Sequence, residues 1–448
     1  MDLLFSKYNI LIMTTAGPLD GVTILRFAHA YGSGGGTERY LDDLNRALLA
    51  RNAMTIVQIQ LSHASVPALP TEESIGRGRL ICLSLPIYPQ SAAESLSDGL
   101  TLGYWLKQLF RDWVLYNPFV WKIGGAKWTL SHHITPRPGQ AKGAGVAAAE
   151  VLRTHRVSLV VLHFFGGADA EAVITAAQNA GVPFVILNHY SNDRFLHLAV
   201  RKHAMLADGV SGVNGLSLPL YLRGRFTNLS DGIDIEFFRR AHARPLVLPP
   251  HLPIILQPAR VVREKGQLDL VHAAASLKQS GLSSFIAFAG RADSSSFIDE
   301  LRHEIDRLEM TENVRFLGNL SVEELRDWYA ASTVVAFPTY HHEGLGRVIV
   351  EAQAVGVPVV AYATGGVAEG IIHGVTGYLL PTGYTRGLAT YLGELLTSPS
   401  MRNTMGTHGR STVEKHFSLS ALADRHERFY VQIIEESKTA GHIQAPLQ

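Results

Sequence analysis

The stretch His341-His342-Glu343-Gly344-Leu345-Gly346-Arg347-Val348-Ile349-Val350-Glu351 follows a short apolar run, Val334 to Phe337, and Pro338. The run reads as a buried strand, and the segment after the glycines as a helix. Gly344 and Gly346 leave the start of that helix uncovered, so its N–H groups and positive dipole end can face a diphosphate. Glu343 precedes the helix and Glu351 stands eight residues on, about 12 Å along the axis at ~1.5 Å per residue. That separation suits two carboxylates gripping hydroxyls at opposite ends of a sugar diphosphate nucleoside. Glu351 lies in an apolar run, where an unpaired carboxylate is expensive; the plain alternative is a glutamate on a helix surface.

Outward from this stretch the same grammar of strand, helix, strand repeats, the pattern that builds parallel sheets. Strands are expected at Ile254 to Gln257, Phe285 to Ala289, Val314 to Phe316, Val334 to Phe337 and Pro358 to Ala361. An earlier block shows strands at Val22 to Ala28, Met54 to Leu61, Val157 to Leu162 and Pro183 to Leu187, with helices at Thr37 to Arg51 and Ala168 to Ala180. Between the blocks Pro245, Pro249, Pro250 and Pro253 mark a linker. The expectation is two doubly wound α/β domains, 1–240 and 241–417, with an insertion at about 62–150. A last amphipathic helix within 418–448 would pack back on the first domain.

With 448 residues, the chain exceeds what one core usually spans. Forty Lys plus Arg against 39 Asp plus Glu leave a formal charge of +1, so nothing global favours nucleic acid. The single cysteine, Cys82, forms no internal disulfide, and no Cys/His cluster suggests zinc. A reducing cytoplasm fits, and no apolar run approaches the ~20 residues of a spanning helix.

Two further motifs carry chemistry. Gly32-Ser33-Gly34-Gly35-Gly36-Thr37-Glu38 lies between a strand and a helix, where backbone N–H groups can approach an anion. A dinucleotide fingerprint would need glycine where Thr37 stands and an acid where Gln58 and Gln60 stand, which disfavours a dehydrogenase. Arg260-Val261-Val262-Arg263-Glu264-Lys265-Gly266 directly follows a strand, so Arg260 and Lys265 can neutralise two phosphate charges there.

Together these residues resemble the GT-B retaining glycosyltransferases of family 4. The resemblance rests on Glu343 and Glu351 with seven residues between them, Pro338, Gly356-Val357-Pro358-Val359-Val360-Ala361 and Thr364-Gly365-Gly366. It extends to Ala259-Arg260 with Lys265-Gly266, Val314-Arg315-Phe316-Leu317-Gly318, Gly374-Val375-Thr376-Gly377 and Asp231-Gly232-Ile233-Asp234. In the first domain the glycine loop and the strand-end His163 and His189 resemble the family's. The likeness runs in order over about 254–385, is patchy over 22–61 and 157–234, and is absent from about 62–150.

The resemblance implies a retaining transfer from a nucleotide-diphosphate sugar to an acceptor hydroxyl, with no metal and no cofactor beyond the donor. It implies that Arg260 and Lys265 bind the diphosphate. Glu343, with the backbone of Gly344, Leu345 and Gly346, would hold the sugar, and Glu351 the ribose. Gly34, Gly35 and Gly36 would close on the phosphates, Arg315 and Phe316 would lie in the donor site, and His163 would lie near the transferring carbon. Leu345 stands where the family often has an aromatic residue, and no acid stands in Leu380-Pro381-Thr382-Gly383-Tyr384 where many members have one. No Asp-x-Asp motif occurs, which argues against the metal-dependent alternative fold. A nucleotide-sugar epimerase, a phosphorylase or a silent nucleotide-sugar-binding protein are the competing readings.

Trp105, Trp113, Trp121 and Trp128, interleaved with Lys107, Arg111, Lys122 and Lys127, break the α/β grammar. This segment, about 102–130, is either packed on the first domain, part of an acceptor site for a carbohydrate or glycosylated molecule, or a contact with the inner face of a membrane.

Overall fold

A computed structural model describes residues 16–29, 36–62, 71–86, 138–163, 168–189, 203–214, 226–246 and 252–439. Gly34, Gly35 and the tryptophan-rich segment 102–130 lie outside the described residues.

The first sheet is built from β1 (Thr23–His29), β2 (Thr55–Ser62), β3 (Thr71–Ile75), β4 (Gly78–Pro86), β5 (Val157–Leu162), β6 (Phe184–Asn188), β7 (Gly209–Gly212) and β8 (Phe226–Asn228), in the order β3-β4-β2-β1-β5-β6-β7-β8. Only the β3–β4 hairpin is antiparallel. Side chains of the central strands β1, β5 and β6 alternate between two covered faces, which is why these strands read as nearly continuous apolar runs, whereas the edge strand β3 is mostly exposed. Ile24 and Ala28 face helix α1 (Gly36–Arg51), whereas Leu25 and Phe27 face α2 (Pro138–Thr154) and α3 (Ala168–Asn179). The segment 62–150, set apart in the sequence, thus joins this frame at both ends, through β3, β4 and α2.

The second sheet holds β9 (Ile254–Pro258), β10 (Phe285–Ala289), β11 (Val314–Gly318), β12 (Val334–Phe337), β13 (Val359–Tyr362) and β14 (Gly377–Leu380), all parallel, in the order β11-β10-β9-β12-β13-β14. One face buries α6 (Val322–Ala331) and α7 (Arg347–Val355). The other buries α4 (Gln267–Gln279), α5 (Ser295–Arg307) and α9 (Thr385–Thr397). The short α8 (Val367–Gly370) follows β13, and α10 (Pro399–His416) packs against α7, with Val413 and Met405 entering the cores on the two faces.

The final helix, α11 (Leu419–Thr439), returns to the first sheet. Its Leu422, Phe429, Tyr430, Ile433 and Ile434 enter the core beside α1. At about 2 kcal/mol for each apolar side chain removed from water, that stripe is ample to anchor the chain end there.

In each sheet the chain first builds outward on one side and then crosses to the other. These reversals fall between β1 and β5, and between β9 and β12. Open parallel sheets bind ligands in the crevice at the carboxyl ends of such neighbouring strands.

Candidate active site

At the second sheet's reversal, the loop after β9 carries Lys265 and the loop after β12 carries Glu343. The Lys265 amine contacts the Glu343 carboxylate, and both side chains are largely buried, at 11% and 20% exposure. The buried Gln257 fixes this turn by donating to the Lys265 carbonyl at 2.6 Å. Gln267 donates to the Arg260 carbonyl at 2.9 Å. Gly266 closes the turn at φ +70°, and a Cβ there would lie 2.0 Å from the Pro338 carbonyl oxygen. Only glycine lets the two loops approach this closely.

Arg260 points outward from the same loop, 57% exposed, and pairs with Asp293 at 2.5 Å. Arg315 and Phe316 diverge because strand side chains alternate. The Arg315 guanidinium lies 5.6 Å from the Phe285 ring centre, while Phe316 packs against Phe288 and the core beneath α5.

Between Glu343 and α7 the chain runs close to its neighbours. The Glu343 carbonyl accepts from the Gly366 N–H at 2.9 Å, and a Cβ on Gly366 would fall 1.5 Å from the Gly344 oxygen. Leu345 anchors the loop in the core, 2% exposed, so it is the backbone that borders the crevice. Gly346 takes a left-handed conformation and opens α7. From the other domain, Asn214, just beyond β7, donates to the Gly344 carbonyl at 2.6 Å.

Glu351 is fully buried. Its carboxylate accepts from Arg39 of α1 at 2.8 Å and from the Tyr329 hydroxyl at 2.9 Å. One turn earlier Arg347 bonds Asp43 of α1 at 2.6 Å and Asp231 at 2.9 Å. A buried ionic cluster therefore joins α1 to α7. Burial disfavours the Arg347 charge, yet Asp231, Asp43 and Glu351 together raise its pKa above the ordinary value. Asp43 and Asp231 are shifted upward by burial, with Arg347 opposing the shift.

At the first sheet's reversal, His163 ends β5. It is fully buried, and its Nδ1 lies 3.0 Å from Nε2 of His189, which follows β6. The two imidazoles stack at 5.3 Å, and the Tyr40 ring meets His189 edge-on at 4.8 Å. Burial, reinforced by the charge of the buried Arg26, drives the pKa of His163 well below the ordinary value and that of His189 to about 3. Both rings are therefore neutral at physiological pH. His163 Nε2 is buried without a hydrogen-bond partner among the described residues. Gly36 opens α1.

The sequence reading brought forward Lys265, Glu343, Glu351, His163 and His189 but passed over the roles of Arg39, Asp43, Asn214 and Arg347. Arg347 and Asp231 stand within motifs already quoted, so their charges were visible and their pairing was not. Asn214 carries no sequence signal at all. Among the described residues no group of three His, Cys, Asp or Glu side chains is arranged to hold a metal ion.

Two open, mostly parallel sheets whose reversal points carry these groups define the GT-B fold, and solved structures bear this out. A glycosyltransferase from Rickettsia africae superposes with a TM-score of 0.67 at 20% identity, covering 92% of this chain and 99% of that one. Sucrose-phosphate synthase from Thermosynechococcus elongatus gives 0.67 at 21% identity over 93% and 100%. Anabaena HepE in complex with UDP and glucose gives 0.62 at 20% over 92% and 100%. Residues 238–412 match the model of the family Glycosyl transferases group 1. Among sequence relatives, D-inositol 3-phosphate glycosyltransferase 1 of Catenulispora acidiphila is 29% identical over 90% of this chain and 92% of its own length. The capsular polysaccharide biosynthesis glycosyltransferase CapM of Staphylococcus aureus is 30% identical over 40% of this chain, and the match spans 46% of that relative. A GDP-mannose-dependent monoacylated alpha-(1-6)-phosphatidylinositol monomannoside mannosyltransferase of Corynebacterium glutamicum is 27% identical over 62% of this chain and 77% of its own.

Proposed function

We propose that this protein transfers a sugar from a nucleoside-diphosphate sugar to an acceptor hydroxyl, with retention of configuration and without a metal. The observation that carries the reading is the Lys265–Glu343 contact at the reversal between β9 and β12. A lysine amine beside a carboxylate, at the point where such sheets bind ligands, supports a cation for the diphosphate next to an acceptor of sugar hydroxyls.

In this reading Lys265 and Arg260 meet the charge that develops on the departing diphosphate. Glu343 and the backbone of Gly344, Leu345 and Gly346 hold the sugar, and Glu351 takes the ribose. Arg315 and Phe316 belong to the donor side, and the glycine loop through Gly34, Gly35 and Gly36 closes over the phosphates. The bond between the anomeric carbon and the phosphate oxygen breaks as the acceptor oxygen attacks the same face. The acceptor proton passes to the departing phosphate oxygen, so no enzyme carboxylate serves as nucleophile. His163, neutral and with an unpartnered Nε2, can then hydrogen-bond the donor near the transferring carbon.

Relatives named for GDP-mannose and for inositol phosphate, and neighbours holding UDP, support a nucleotide sugar as donor and a carbohydrate or glycosylated lipid as acceptor. No described helix is long and apolar enough to cross a membrane. Work in the cytoplasm, with contact between 102–130 and the inner membrane face, belongs to the same proposal.

The test is nucleoside diphosphate release from GDP-mannose, UDP-glucose and related donors, in EDTA, followed by assignment of the anomeric configuration by NMR. An inverted product, or activity lost in EDTA and restored by Mg²⁺, overturns the mechanism. Failure to turn over any nucleotide sugar overturns the function.

A further inference from the structure

Glu351 is 0% exposed, with both carboxylate oxygens already engaged, so no ribose hydroxyl can reach it in this arrangement. Among the described residues three side chains surround the carboxylate, and they differ in how readily they can leave. Tyr329 is a fully buried part of the core on α6. Arg347, 9% exposed, is tied to Asp43 and Asp231, and its Nε stands 3.8 Å from Glu351. Arg39 is 25% exposed and reaches Glu351 through Nη1, while its Nε is buried without a hydrogen-bond partner among the described residues. Arg39 is therefore the group that can swing toward solvent without moving a helix. It also belongs to the opposite domain, 312 residues away in sequence.

We infer that Arg39 is a gate on Glu351, a positioning residue that competes with the vicinal hydroxyls of a nucleotide ribose for the same carboxylate. The inference rests on the proposed assignment of Glu351 to the ribose. A diol that displaces Arg39 restores two hydrogen bonds to the buried carboxylate. A ligand without the diol leaves the ion pair in place, since a buried carboxylate with no partner is costly. Arg39 thus taxes every ribonucleotide by the strength of one half-buried ion pair, and couples nucleotide occupancy to the helix that begins at Gly36.

Calorimetric titration of UDP, GDP and their 2′,3′-dideoxy analogues into the wild type, Arg39→Gln, Glu351→Gln and the double variant tests this. Arg39→Gln should bind whichever ribonucleotide the wild type prefers about fivefold or more tightly, the scale of ~1 kcal/mol. Its affinity for the dideoxy analogue should stay within about twofold, a scatter that would correspond to ~0.4 kcal/mol. In the Glu351→Gln background the Arg39 substitution should change nothing. Should Arg39→Gln not fold, Arg39→Lys, which keeps the charge and gives up the guanidinium fork, reads the same gain at smaller size. Unchanged or weaker ribonucleotide binding by the variant, with the wild type still preferring ribose to its dideoxy form, overturns the gate and leaves the donor site standing. Absence of nucleotide binding in the wild type overturns both.

Discussion

Asn214 donates to the carbonyl oxygen of Gly344 at 2.6 Å, a bond from the end of β7 to the loop after β12 that spans 130 residues and both sheets. It holds the two faces of the crevice together at the loop proposed to carry the sugar. Asn214→Ala should lower turnover about fivefold and folding stability by about 1 kcal/mol, the value of one buried hydrogen bond. Turnover unchanged in a folded variant would show that this contact has no part in closure.

Lys265→Ala should leave the fold intact and reduce turnover about 10²-fold or more, the scale of one fixed group meeting developing charge. Arg260→Ala should do the same. Because Arg260 is 57% exposed and Lys265 11%, solvent screening makes the Lys265 loss the larger of the two. Rates within twofold of wild type for both, measured as nucleoside diphosphate release, would end the diphosphate assignment.

The two glutamates should separate by stability as well as by kinetics. Glu351→Ala leaves Arg39 and Tyr329 without their buried partner and should cost about 3 kcal/mol while weakening nucleotide binding. Glu343, partly exposed, should harm transfer when replaced by Ala, with a smaller stability loss. Chemical denaturation and titration of free nucleoside diphosphate check the two halves. Equal losses of stability and affinity would deny the division of labour.

Gly366→Ala and Gly374→Ala form a contrast. At Gly366 a Cβ would meet the Gly344 oxygen at 1.5 Å, so the loop must shift, at a cost of about 2 kcal/mol or more. Gly374 has φ +75° and open space around it, so only backbone strain of about 1 kcal/mol applies. Melting temperatures in the reverse order would contradict the packing described.

Stability should fall in acid through the buried histidines. His426 Nδ1 faces the Leu422 carbonyl at 3.0 Å, and its Nε2 lies 2.9 Å from the Tyr40 hydroxyl. Burial lowers its pKa to about 3, as it does for His189, and His163 is driven well below the ordinary value. The unfolded chain binds these protons from about pH 6.5. The stabilisation is therefore complete above that pH and is lost as pH falls toward 3, by up to about 1.4 kcal/mol per histidine per pH unit. His426→Gln should flatten the pH dependence of the urea midpoint between pH 8 and 5. An unchanged slope would mean that His426 does not titrate on unfolding.

Strand periodicity, the paired glutamates and the glycine-bounded helix start were legible because each depends on residues close in sequence. Val157–Leu162, Phe285–Ala289 and Val334–Phe337 appear as expected, since a strand covered on both faces must be apolar throughout. The lone acid in the run Val348 to Ala352 was likewise visible as a problem needing a partner. β7 and β8 escaped notice because Gly209–Gly212 and Phe226–Asn228 are too short to show a period.

What the sequence determined by itself is most of the succession of strands and helices and the chemical types offered at strand ends. What only the tertiary structure decided is which charges meet. Arg39 with Glu351, Asp43 with Arg347 and Asn214 with Gly344 are each separated by more than a hundred residues. Local propensity carries no information about such partners. They are brought within hydrogen-bond distance only when two separately built sheets close on one another, and burial then makes the unpaired alternative too costly to persist.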